Sequence, residues 1–140
     1  MTERTIAVFF YGLFMDMDVL RQRGLSPLNP QAAHLDGYDL EIRDRATLMP
    51  KREERVYGIV ASLTHEEIST LYAEPSVREY RSEAVLVTLE DGQPCPALCY
   101  NSPSLTGSGR NTAYATNLLR LAKVLAFPKE YLRKLRRLAQ

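Results

Sequence analysis
Ile6-Ala7-Val8-Phe9-Phe10 opens an apolar run that continues through Tyr11-Gly12-Leu13-Phe14 to Met15. It has no polar alternation before Phe10, the pattern of a strand covered on both faces. The run breaks at Tyr11-Gly12, where the missing Cβ lets a ligand or a neighbouring backbone come close to the main chain. Asp16 is placed to cap a short helix through Val19 and Leu20, with Gly24 at its end. A buried strand, a glycine turn and a helix start together aim backbone N–H groups at one point, which suits a carboxylate or a phosphate. An ordinary buried strand followed by a turn has the same pattern.

Ser26-Pro27-Leu28-Asn29-Pro30 predicts a turn-rich connection. Leu35 to Ile42 predicts a strand interrupted at Asp36-Gly37, with Tyr38, Leu40 and Ile42 on one face and Asp39, Glu41 and Arg43 on the other. Lys51-Arg52-Glu53-Glu54-Arg55 mixes charges and predicts a solvated hairpin. Val56 to Ala61 is the next strand, and Thr64-His65-Glu66-Glu67 has the form of a capping box. The helix it opens carries Ile68, Leu71 and Tyr72 inward and is stopped by Pro75. Ser82 to Thr88 and Pro94 to Tyr100 predict strands joined by an Asp91-Gly92 turn.

Asn101 to Arg110 is rich in serine and glycine and predicts a mobile segment. Its Gly107-Ser108-Gly109 lacks the Lys-Ser/Thr ending of a phosphate loop. Leu118, Leu121, Ala122 and Leu125 recur at helical spacing from Thr112 onward. Pro128 separates a last helix with Tyr131, Leu135 and Leu138 inward. Its basic residues, from Lys129 to Arg137, suit a solvated helix end. Without repeats or a dividing linker, residues 1–140 are expected to form one α+β domain, a small mixed β-barrel with flanking helices.

At 140 residues the chain is long enough to bury roughly 68% of its unfolded surface. A net charge of +1 gives no general drive toward nucleic acid or an acidic membrane. The apolar N-terminal run is about half a bilayer span and meets Asp16 and Asp18, which argues against a membrane span or a signal peptide. Cys95 and Cys99 on one strand would lie roughly 13 Å apart, too far for a disulfide. Reduced thiols predict a cytoplasmic protein. His34, placed in a pre-strand loop, and His65, in a helix first turn, offer neither metal-ligand spacing nor a nucleophile partner, so no metal is predicted.

Glu74 has the most unusual position of the acidic residues. It follows the inward-facing Leu71 and Tyr72 at a helix C-terminus and precedes Pro75, which favours an extended backbone. The helix dipole favours a cation there, so a carboxylate at that point, if also buried, is expected to titrate above about 4.3, as a general base near neutral pH requires. A solvated loop glutamate would occupy the same position. Tyr11, Tyr80 and Tyr100 lie near strand ends, where they could bind a carboxylate or serve as core residues with one satisfied hydroxyl.

These residues resemble the gamma-glutamyl cyclotransferase-like proteins, including the gamma-glutamylamine cyclotransferases. The features, in chain order, are Tyr11-Gly12-Leu13-Phe14 after the first strand and Gly37-Tyr38 in the second. A valine-x-glycine strand and a helix then lead to Glu74, Tyr80 and Arg81. Ala97-Leu98-Cys99-Tyr100, Tyr114 and Phe127-Pro128-Lys129-Glu130-Tyr131-Leu132 complete the series. The resemblance implies a mixed barrel with the Gly12 turn facing Glu74, and cyclisation of a gamma-glutamyl amide or amine to 5-oxoproline without a cofactor. It makes Glu74 the acid and base, gives Gly12, Leu13 and Phe14 the substrate carboxylate or oxyanion, and has Tyr11, Tyr80 and Tyr100 wall the pocket and orient Glu74. Leu13 and Pro75 depart from the family pattern, which has a polar residue and a glycine there. The alternative is a non-catalytic member that binds a small carboxylate or a protein partner.

Overall fold
The computed structural model describes residues 4–102 and 111–140. Five strands form a closed barrel in the order β1-β3-β2-β4-β5. Strand β1 (Thr5–Phe10) lies between β3 (Ala46–Thr64) and β5 (Pro94–Asn101). It runs antiparallel to β3, with Phe9 opposite Val60, and parallel to β5, with Val8 opposite Leu98. Val8, Phe9 and Phe10 are buried in succession, so both faces of the strand are covered and the apolar run needs no polar alternation.

Strand β2 (Leu28–Ile42) pairs along β3 and is in register with β4 (Arg81–Leu89) at Ala33 and His34. Val56, Leu63, Val87 and Cys99 are fully enclosed within the barrel core. Among the described residues, four helices decorate it. Helix α1 (Met17–Gln22) follows a 3-10 turn at Leu13–Met15, and the Asp16 side chain caps it by accepting from Asp18 N. Helix α2 (His65–Leu71) starts at the full Thr64/Glu67 capping box. Helices α3 (Thr112–Val124) and α4 (Lys129–Leu138) pack on each other and bury Leu118, Ala122, Tyr131 and Leu135.

Four sequence expectations need correction. The connection after α1 is shorter than expected: β2 already begins at Leu28, with a register shift between Leu28 and Gln31. His34 consequently lies within a strand, not in a loop before one. Lys51 to Arg55 do not form the hairpin; they lie within β3, opposite the bulge at Asp36–Tyr38, and the chain reverses at Arg43–Arg45. In that stretch β2 and β3 form a ribbon with no third strand, so charged side chains enter the ladder and hide its period. The serine-rich stretch from 103 to 110, with its Gly107-Ser108-Gly109, lies outside the described residues. Helix α2 ends at Leu71, before Pro75 is reached.

Candidate active site
The turn after β1 builds one wall of a chamber inside the barrel mouth. Tyr11, Gly12, Leu13 and Phe14 line it, and Tyr72, Tyr80, Tyr100, Tyr114 and Arg45 close the other sides. Its volume is about 30 Å³, enough to hold an ordered water. Tyr72 and Tyr100 stack with ring centroids 3.9 Å apart, and Phe14 meets Tyr72 edge-on at 6.1 Å. The predicted residues Tyr11, Gly12, Leu13, Phe14, Tyr80 and Tyr100 therefore do meet in one place.

Gly12 is required for a reason that its own stretch of sequence does not reveal. A Cβ at this position would collide with the Tyr114 hydroxyl, which comes from α3. That hydroxyl accepts the Leu13 N–H at 3.1 Å. One of the three backbone donors expected to cradle an anion is thus occupied by the protein itself. Asn111 caps α3 by accepting from Tyr114 N and so sets where this tyrosine enters.

The Tyr11 and Tyr80 hydroxyls serve the barrel and not Glu74. The Tyr11 hydroxyl lies 2.7 Å from Tyr100 O and 2.9 Å from Asn101 Oδ1, while Tyr80 donates to Ala46 O at 2.6 Å. Asn101 is a buried junction that the sequence reading missed: its Oδ1 also accepts from Leu48 N, and its Nδ2 donates to Glu83. Burial pushes the Tyr11 and Tyr72 phenols well above their ordinary value and Tyr80 up to about 12. All three are neutral near pH 7. They can orient a ligand but cannot serve as bases there.

Glu74 lies just beyond this chamber, on the loop after α2. Its immediate partners are Arg23, at the end of α1, and Ser76. Arg23 Nη1 donates to Oε2, Arg23 Nη2 reaches Oε1 at 3.4 Å, and Ser76 Oγ donates to Oε1 at 3.1 Å. The side chain is 28% exposed. Helix α1 thus brings a cation across the turn to this carboxylate. Arg23 also lies 5.5 Å from the Phe14 ring centroid, so a single guanidinium joins Glu74 to the glycine turn. On either side of Glu74, Tyr72 and Val77 line the chamber, and Pro75 and Ser76 line an adjoining groove.

Among the described residues, no cluster of three His, Cys, Asp or Glu side chains could hold a metal ion, and no helix is long and apolar enough to cross a membrane. Cys95 and Cys99 are both free thiols on β5.

No curated protein sequence matches this chain. Among solved structures, a gamma-glutamyl cyclotransferase superposes with a TM-score of 0.80 at 18% identity, covering 95% of this chain and 87% of its own. The human uncharacterized protein loc79017 gives 0.79 at 19% identity, covering 96% and 88%. YkqA from Bacillus subtilis gives 0.77 at 22% identity over 98% of this chain but only 55% of its own. At these identities the similarity establishes the fold. The sequence pattern of one family matches residues 8–117, from the buried first strand into α3. With the barrel, the glycine turn and the chamber in place, this chain belongs to the gamma-glutamyl cyclotransferase, AIG2-like family.

Proposed function
We propose that the protein cyclises a small gamma-glutamyl amide or amine, releasing the amine and 5-oxoproline, with Glu74 as general base and then general acid. The observation that carries this reading is the link from Glu74 through Arg23 to Phe14, which ties a carboxylate to the wall of an aromatic chamber. The nucleophile is the substrate's own α-amino nitrogen. It attacks the γ-carbonyl, and a new carbon–nitrogen bond closes the five-membered ring. Glu74 takes the proton lost by the attacking nitrogen and returns it to the leaving nitrogen as the old amide bond breaks.

Tyr11, Gly12, Leu13, Phe14, Tyr80 and Tyr100 shape the space that holds the gamma-glutamyl group. At about 30 Å³ the chamber is smaller than such a group, so binding requires it to widen. Holding amine and carbonyl in contact supplies much of the acceleration, which is why no cofactor is needed for this chemistry.

A second reading keeps the chamber as a carboxylate-binding pocket without turnover. The hold of Arg23 on Glu74 favours it, because an engaged carboxylate must loosen before it can move a proton. Incubation with gamma-glutamyl amines and dipeptides, alongside N-acetylated versions, separates the two. Cyclisation gives 5-oxoproline from the free-amine substrates alone. Glutamate as product would mean hydrolysis, and an unchanged substrate that binds would support the second reading.

A further inference from the structure
Arg45 stands at the boundary between the aromatic chamber and a neighbouring groove of about 180 Å³, and lines both. The chain reverses at Arg43–Arg45, which sets this side chain at the barrel mouth. Its guanidinium lies 5.5 Å from the Tyr114 ring centroid and 5.8 Å from that of Phe14. Both distances are within the range of cation–π attraction, which uses the face of the guanidinium and leaves its N–H edge to seek acceptors.

Among the described residues, nothing accepts a hydrogen bond from that edge. Arg21, Arg23 and Arg55 each have a carboxylate, whereas the Arg45 side chain has neither an ion pair nor a hydrogen bond there. A partly buried guanidinium without an anion is costly, and a bound anion would remove that cost. Asp44 and Glu79, with Arg43, line the groove but not the chamber, so the groove side already carries acidic side chains. The chamber side does not. Of the three backbone donors in the glycine turn, the Leu13 N–H is taken by Tyr114.

We propose that Arg45 is the residue that receives the carboxylate of the bound small molecule, on the chamber side, with Phe14 and Tyr114 holding its guanidinium flat. Under the reading above, this is the α-carboxylate of the gamma-glutamyl group; that reading supplies the ligand's identity and the surroundings of Arg45 supply the need for an anion. The forked donor geometry of arginine matches a carboxylate in two parallel hydrogen bonds, which lysine cannot reproduce.

The test is a binding titration of 5-oxoproline, glutarate and the carboxylate-free 2-pyrrolidinone. The proteins are wild type, Arg45→Gln and Arg45→Lys, each checked for an unchanged melting curve. The carboxylates should bind about 10- to 100-fold more weakly to Arg45→Gln, with Arg45→Lys between, while 2-pyrrolidinone binds all three alike. Carboxylate affinity unchanged in Arg45→Gln, or no carboxylate bound by wild type, overturns the proposal. Glutarate bound through Arg45 by a protein that forms no 5-oxoproline keeps this role for Arg45 and rejects the cyclotransferase reading. Cyclisation by Arg45→Gln with an unchanged KM does the reverse.

Discussion
Gly12 and Tyr114 show how a single atom's absence is used. The glycine leaves a gap that a hydroxyl more than a hundred positions away fills while accepting the next residue's N–H. Gly12→Ala should therefore destabilise the protein by about 1–3 kcal/mol through overpacking, as read by urea denaturation. In a Tyr114→Phe background much of that cost should vanish, because the colliding oxygen is gone. A cycle of the four proteins should show coupling of at least about 0.5 kcal/mol, and strict additivity would contradict the contact. The need for a small residue at position 12 was legible in the sequence. Its partner was not, because nothing local connects Tyr114 to the turn. The same holds for Glu74: its special position could be read from the helix end and Pro75, but not the presence of Arg23, which depends on where α1 stops.

Element by element, caps and turns were the most readable features, since their chemistry is local. Asp16, the Thr64 capping box and the Asp91-Gly92 turn occur where the residue pattern places them. The box also has a distant role, because the Glu67 carboxylate accepts from Ser26 N as well as from Thr64 N and so ties α2 to the start of β2. Thr64→Ala should cost about 1 kcal/mol. Burial raises the Glu67 pKa, but these backbone hydrogen bonds outweigh it and hold the carboxyl below its ordinary value. A depressed folded-state pKa stabilises the fold above the unfolded value of about 4.3 and loses that contribution as pH falls through the folded value. Melting temperature should thus fall on acidification below about pH 4, and less steeply in Glu67→Gln. An identical acid limb in that variant would mean that the bonds to Ser26 and Thr64 add nothing. Strand limits were harder to read than caps, as β2 and β3 show: where only two strands pair, the alternation that marks a strand fades.

For the whole molecule, barrel closure joins β1 to both β3 and β5, and one core cluster runs from β1 to α4. Unfolding should be a single transition by far-ultraviolet dichroism and by tyrosine fluorescence. Cys99 reports on it directly. The thiol is fully buried and its pKa is pushed up to about 12 by that burial, so in the native state it should resist alkylation and react only as the barrel opens. Rapid native labelling of Cys99 would mean that β5 opens on its own. The fold class was legible from element order, and the resemblance in the residues located the chamber wall. Two features were not legible, because both arise from distant segments meeting: the smallness of the chamber and the engagement of the tyrosine hydroxyls by barrel carbonyls.

Turnover by Glu74→Gln tests the central claim most directly. The variant keeps the shape of the side chain and removes the proton acceptor. With folding checked by melting, 5-oxoproline release from a gamma-glutamyl substrate cleaved by wild type should drop by about 10²- to 10⁴-fold. Release at the wild-type rate would remove Glu74 from the chemistry and leave the chamber without a base.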